Sequence, residues 1–313
     1  MTQGIHHITA IASDAAACMR FFSEILGLRL VKKTVNQDDT LTYHLFFGDR
    51  LGHPGMDLTF FLFRPPMSGT TGNGLVTKIS LAVPEASLGF WDKRFEEWHV
   101  KHSEIASRFG KNRLPFVDAD GMKYELVGVG DEEMKDADVW ESKGIEAKHA
   151  ISSFYSASMR VPDITLIEPV LTDVFGYTKI SEFGDVNQYA LPGAQRAAVL
   201  EVETDPLAMW GLMGAGTVHH IAFRARDGAH QSELRAHAIE AGLMPTEVID
   251  RFYFRSVYFR TKAGILCEIA TDGPGFAADE DERELGKKLA LPPFLEQRRD
   301  SIEAGLPELN TEN

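Results

Sequence analysis

Two histidine pairs and one glutamate are the residues of this 313-residue chain best suited to chemistry. His6-His7 stands in Gly4-Ile5-His6-His7-Ile8-Thr9-Ala10, and His219-His220 in Thr217-Val218-His219-His220-Ile221-Ala222-Phe223, 213 residues later. Both stretches read as strands. Neighbouring side chains on a regular strand point to opposite faces, so one histidine of each pair is expected to reach a shared cavity. Glu268 sits alone in the apolar run Gly264-Ile265-Leu266-Cys267-Glu268-Ile269-Ala270. A buried carboxylate without a partner is costly, so it needs a proton, a cation or a metal. A salt bridge to Arg251, Arg255 or Arg260 would satisfy it. A metal would do so too: two histidines and one carboxylate hold a divalent ion by one face and leave open positions, the set found in oxygen-activating non-haem Fe(II) sites.

Each histidine pair opens a repeat. After the first pair come a helix over 15–26, begun by Ser13-Asp14 and ended by Gly27, and strands over 28–35, 42–47 and 57–63. After the second come a helix over 230–241, preceded by Asp227 and ended by Gly242, and strands over 244–249, 254–260 and 264–271. Two weaker units lie between. One has a strand over 75–83, a helix over 87–98 and strands over 104–108, 113–117 and 123–129; the other has a strand over 147–160, a helix over 163–175 and strands over 177–183, 188–191 and 197–202. The chain therefore reads as α+β, four βαβββ modules. Residues 1–130 hold an N-terminal pair of modules and 147–276 a C-terminal pair, with the acidic segment 131–146 as hinge and 277–313 as a C-terminal tail. Because the ligand candidates lie in the first and last modules, the two ends of the chain must meet.

Aligning Gly55 with Gly264 sets Thr59 opposite Glu268. The first module thus offers a histidine and no carboxylate, giving three ligands in all. A glyoxalase-type isomerase would want a fourth, carboxylate ligand at Thr59, so this position argues for oxygen or substrate activation. In the second module Glu125 aligns with Glu268, yet Lys78-Ile79-Ser80 stands where histidines are needed; the third offers only His149. The central modules read as structural, with Glu125 on the surface or ion-paired, and His44 as a core residue bonded to a neighbour.

Composition narrows the classes. With 32 basic and 46 acidic residues the formal net charge is −14, which repels phosphate backbones and argues against nucleic acid. No apolar run approaches the ~18 residues of a membrane span, and no signal peptide is visible, so a cytoplasmic chain is expected. Cys18 and Cys267 read as small core residues, and the acidic stretches 131–141 and 279–284 as solvated surface.

The repeats with GIHHITA, VHHIAF and ILCEIATD resemble the vicinal oxygen chelate superfamily, which also holds glyoxalases and bleomycin resistance proteins. The stretches LGLRLVKKTVNQDDTLTYHLFFGDRLGHPGMDLTFF (26–61) and RFYFRSVYFRTKAGILCEIATDGPGF (251–276) are similar to the ring-cleaving dioxygenases that act on hydroquinones and chlorohydroquinones and their relatives in quinone detoxification. The resemblance implies paired, cupped mixed β-sheets and a ring-opening dioxygenase that uses O2. It implies that His7, His220 and Glu268 ligate Fe(II), with Mn(II) as the alternative metal. It places His6, His219, Arg251 and Tyr258 as catalytic residues around the substrate and Thr9 at the substrate itself. His6 or His219 would move protons; Arg251 and Tyr258 would hold or polarise a substrate oxygen. The partners implied are a small aromatic substrate and O2, with self-association left open. The competing readings are a glyoxalase-type metal-dependent isomerase or lyase and a binding protein for an aromatic ligand. Arg251 as a partner of Asp250 or of an acidic surface residue, and Tyr258 as ordinary strand packing, stand beside the site readings.

Overall fold

Alternation of polar and apolar residues along the strands builds sheets with one face in the core and one face lining a cup. The computed structural model describes residues 1–134, 137–194 and 196–309; residues 135–136 of the acidic hinge, residue 195 and residues 310–313 of the tail lie outside the described residues. The first module runs β1 (Ile5–Ile11), a helix Ala15–Met19 continued as Arg20–Ile25, β2 (Arg29–Val35), β3 (Tyr43–Gly48) and β4 (Asp57–Leu62). The second runs β5 (Leu75–Pro84), a helix Leu88–Glu97, β6 (Ala106–Arg108), β7 (Lys111–Val117) and β8 (Lys123–Val129). The third runs β9 (Ser153–Val161), short turns Ile164–Leu166 and Val170–Val174, β10 (Thr178–Phe183), β11 (Val186–Ala190) and β12 (Val199–Thr204). The fourth runs β13 (Thr217–Ala225), a helix Gly228–Glu240, β14 (Ile249–Asp250), β15 (Arg255–Arg260) and β16 (Leu266–Thr271).

The modules combine first with last and second with third. One mixed sheet has the order β14-β15-β16-β13-β1-β4-β3-β2, the other β10-β11-β12-β9-β5-β8-β7-β6. Each is joined through its opening strands, β1 antiparallel to β13 and β5 antiparallel to β9. Neither half of the chain, 1–130 or 147–276, closes a sheet by itself, so sequence order is not spatial order. The inner faces of both sheets and the helices share one core, in which Ile8, Leu58, Phe60, Trp91, Phe95, Phe154, Phe223 and Ile269 are buried. The helix starts follow the sequence: Asp14 accepts from the Ala17 amide and Asp227 from that of His230.

Three local expectations change. The helix over 163–175 is broken into two short turns, because Pro169 has no amide to donate and interrupts the ladder. The strand expected over 147–160 begins only at Ser153, after a turn Ala147–His149. The strand expected over 244–249 shrinks to Ile249–Asp250; Met244 is exposed, Pro245 cannot donate, and Thr246 alone ties this segment to Tyr258.

The tail is part of the fold. Leu291, Leu295 and Ile302 pack against Val35, and Leu285 and Phe276 against Val31 and Phe46. The acidic stretch 279–284 is not wholly solvated: the buried Lys32 ammonium donates to Asp279 at 2.7 Å and to Glu280, and the Tyr253 hydroxyl donates to Asp279 at 2.9 Å. Cys18 and Cys267 are buried free thiols. Among the described residues no helix is long and apolar enough to cross a membrane.

Candidate metal centre

Strict alternation fails at both histidine pairs. Along β1 and β13 the register steps from Ile5↔Phe223 to His7↔Ala222, and from Thr9↔His220 to Ala10↔Val218. His6 is therefore the extra residue of a bulge in β1, and His219 the extra residue of a bulge in β13. A bulge turns its extra side chain out of the pleat. The two histidines of a pair do not point to opposite faces: their Nδ1 atoms lie 2.9 Å apart in His6-His7 and 2.8 Å apart in His219-His220.

The second histidine of each pair meets Glu268 on the cupped face. His7 Nε2 and His220 Nε2 are 3.2 Å apart, and the Glu268 Oε2 atom lies 3.1 Å from the first and 2.9 Å from the second. All three side chains are buried. The arginines that could have paired with Glu268 do not; Arg251 binds Asp38 instead, with Nη1 3.0 Å from Oδ1 and Nη2 2.8 Å from Oδ2.

The hydrogen bonds assign the protons. His6 Nε2 lies 3.2 Å from the Thr271 carbonyl, which can only accept, so Nε2 carries the hydrogen. Burial, with His7 beside it, pushes His6 down to about 3, so the ring is neutral and its Nδ1 accepts. The donor to it is the Nδ1–H of His7, which leaves His7 Nε2 bare. On the other side Thr59 donates to Thr9 at 2.8 Å, His44 Nε2 stands 2.9 Å from the Thr59 hydroxyl, and the Thr9 hydroxyl lies 3.0 Å from His220 Nε2, the nitrogen that faces Glu268. Burial and the neighbouring His220 push His219 down to about 3, so its neutral ring can accept from His220 Nδ1–H and leave His220 Nε2 bare.

Two bare nitrogens and a carboxylate oxygen thus converge, and neither Glu268 oxygen accepts an ordinary hydrogen bond. Such a cluster could hold a cation at its centre. Donors on metal bonds of about 2.1 Å at right angles stand about 3.0 Å apart, which matches the three edges. The set fits a divalent metal. Burial alone would raise the Glu268 carboxyl; positive charge at His7 and His220 would outweigh it and hold the carboxyl well below its ordinary range, and a cation bound between the three would take over that role. His6, His7 and Asp57 form a second close group. It is poorer, because the two histidines use their Nδ1 atoms on each other and burial holds Asp57 well above the ordinary carboxylate range.

A small pocket, about 50 Å³ in volume and open to solvent, leads to the triad. His44, Phe46, Phe61 and Phe254 give it aromatic walls, and Arg251 and Tyr258 form a polar side. Tyr258 pairs across the strands with Glu268, and the Arg251 guanidinium lies 5.6 Å from its ring centre. Burial first, then Glu268, raises the Tyr258 hydroxyl, which stays a donor. Of the predicted site residues, His7, His220, Glu268, Arg251 and Tyr258 line this pocket, whereas His6, His219 and Thr9 stand behind the ligands and touch them. His44 is more than a core residue: besides bonding Thr59, its ring lines the pocket, a position visible in the alternation His44, Phe46 along β3.

Register identifies the counterparts. Thr59 pairs with Thr9, two residues after His7, and Glu268 pairs with Ala222, two after His220, so Thr59 occupies the place of Glu268. In the other sheet Lys78 takes the place of His7, Glu201 that of Glu268 and Arg113 that of His44. There the buried Glu125 and Glu201 are held by Lys78, Arg108 and Arg113: Lys78 is 2.9 Å from Glu125, Arg108 is 2.5 Å and Arg113 2.9 Å from Glu201, and Arg113 also meets Glu125. Glu125 is ion-paired, and it is not at the surface. His149 stacks on Phe90 and bonds Ser87.

The profile of the Glyoxalase/Bleomycin resistance protein/Dioxygenase superfamily matches residues 4–126. The chain is 40% identical to MhqE of Bacillus subtilis, provisionally named a ring-cleaving dioxygenase, over 98% of this chain and 99% of that one. It is 31% identical to the chlorohydroquinone/hydroquinone 1,2-dioxygenase of Sphingobium indicum, over 96% and 94% of the two chains. A crystal structure from Bacillus subtilis, described provisionally as a dioxygenase, superposes with a TM-score of 0.94 at 38% identity, covering 100% of this chain and 99% of the other. Glyoxalase I of Zea mays shares the fold, with a TM-score of 0.64 at 13% identity over 86% and 92% of the chains.

Proposed function

The chain belongs to the Glyoxalase/Bleomycin resistance protein/Dioxygenase superfamily and, within it, to the ring-cleaving dioxygenases, and on that premise we propose that it opens hydroquinone-type rings with O2 at an Fe(II) centre held by His7, His220 and Glu268. The observation that carries this reading is the convergence of two bare imidazole nitrogens and one carboxylate oxygen, 2.9–3.2 Å apart, at the inner end of an aromatic pocket. Thr59 in place of a second carboxylate supports a three-donor site over the four-donor site of an isomerase. When bound, Fe(II) would supply Lewis acidity toward a phenolic oxygen and electrons toward O2.

The protein's own residues do the rest. His6 and His219 hold the tautomers of His7 and His220, so that both present bare nitrogens inward. Thr59 donates to Thr9 and sits against His44, and the Thr9 hydroxyl stands beside His220 Nε2. Phe46, Phe61, Phe254 and His44 pack against the ring faces and exclude water. The protonated Tyr258 hydroxyl donates to a substrate oxygen, and Arg251, paired with Asp38, lies against the Tyr258 ring.

Iron analysis and oxygen-electrode assays with hydroquinone, chlorohydroquinone and catechol test this. Oxygen uptake with the first two, dependent on Fe(II), is expected. Cleavage of catechol with hydroquinone ignored would overturn the substrate assignment, and full activity without metal would overturn the centre.

A further inference from the structure

Arg251 is the sole arginine or lysine among the residues lining the pocket, and its charge is already engaged. Asp38 binds both of its terminal nitrogens, at 3.0 and 2.8 Å. The two partners differ in exposure: the Asp38 side chain is 73% exposed and that of Arg251 only 17%. The carboxylate therefore stands at the mouth while the guanidinium reaches inward. The loop that carries Asp38 is fixed in place. Asn36 accepts from the Asp38 amide at 2.8 Å, and the Gln37 side chain donates to the Arg251 carbonyl at 2.8 Å.

Planar pairing with a carboxylate is what a guanidinium does best, and one carboxylate fills that face. A ring substrate bearing its own carboxylate would have to displace Asp38 from Arg251 and would meet its negative charge on entry. A second carboxylate, the buried Glu268, waits at the inner end. Repulsive elements of this kind set specificity as much as attractive ones do. We propose that Asp38 is a specificity-determining residue: by occupying Arg251 at the mouth it excludes carboxylated rings and leaves rings that bear hydroxyls and no acid group as the accepted class. The inference rests on the aromatic-ring reading of the pocket given above.

The test compares 4-hydroxybenzoate with 4-hydroxybenzamide, which match in size and differ in charge. Each is titrated calorimetrically into the Fe(II)-loaded enzyme without oxygen. The wild-type protein should bind the amide better by about tenfold or more, D38N should narrow or invert the ratio by about tenfold, and D38E should keep the wild-type ratio. With oxygen, D38N should raise turnover of 2,5-dihydroxybenzoate relative to hydroquinone. A ratio that D38N does not move, or equal binding of both probes by the wild type, overturns the proposal and leaves the aromatic-ring reading standing. If neither probe binds either protein, that reading falls and this proposal falls with it.

Discussion

His6 and His7 are neighbours in sequence, and their Nδ1 atoms lie 2.9 Å apart because His6 is the extra residue of a β-bulge. On a regular strand the two rings would leave from opposite faces. The bulge instead makes His6 a backing residue, anchored to the Thr271 carbonyl, that holds the hydrogen of His7 on Nδ1. His219 stands in the same relation to His220.

Removing a backing residue should therefore weaken the centre without removing a ligand. His6→Ala and His219→Ala are each expected to reduce Fe(II) affinity by roughly 10–100-fold, the usual effect of losing a hydrogen-bond partner of a metal-ligating histidine. Competition titration against a metal-binding dye measures it. Unchanged affinity in both variants would mean that the pairs orient nothing.

Losing a ligand should have a sharper signature. Bound metal stabilises the folded state by RT ln(1 + [L]/Kd), about 2.7 kcal/mol at a free concentration of 100 Kd. Chelation should lower the melting temperature of the wild-type protein. His7→Ala, His220→Ala and Glu268→Ala should melt alike with and without chelator, carry no metal and take up no oxygen. A variant that kept both metal and oxygen uptake would remove that residue from the centre.

The features legible in the sequence are those with local signals. The modules show in strand alternation and helix caps, and His7, His220 and Glu268 show because a repeat brings two rare pairs and one isolated carboxylate into register. The bulges at His6 and His219 were not legible, since they are offsets between strands more than 200 residues apart and leave no mark on composition. An acidic surface partner for Arg251 is within reach of the sequence, whereas its being Asp38 is set by tertiary closure of two loops. The clamp of Lys32 on Asp279 and Glu280 is equally distant, so the acidic tail read as plain surface. His44 lies within reach of the alternation rule, which sets it on the same face of β3 as Phe46.

The counterpart cluster of the second sheet answers to a different rule. Two buried carboxylates there face three side-chain cations where the first sheet has His7, His220 and Glu268. Arg113 is the most buried of those cations and touches both carboxylates. Arg113→Met should cost about 3–5 kcal/mol, because it strips both carboxylates of their shared partner. Urea denaturation of the chelated protein reads this, and the metal content of the folded variant should match the wild type. A loss below about 1 kcal/mol would show that Lys78 and Arg108 carry the cluster without it.

Asp118 supplies a pH dependence away from the metal. It sits at the turn between β7 and β8, where it accepts from the amides of Asp120 and Met122 and from the Tyr124 hydroxyl. Burial outweighs those bonds and, with the Asp120 charge close by, pushes its carboxyl up from 3.8 to about 6. The folded state therefore holds a proton that the unfolded state releases at lower pH. Its contribution to stability is fully present below about pH 4 and is lost as pH rises through 6, a swing of roughly 3 kcal/mol for a shift of about two units. Asp118→Asn keeps an acceptor for the amides and cannot ionise. Its stability relative to wild type should rise by up to that amount between pH 4 and pH 7, measured by urea denaturation of the chelated proteins at each pH. A difference that stays flat across this range would mean that Asp118 is ionised in the folded protein throughout, with its bonds to the turn outweighing its burial.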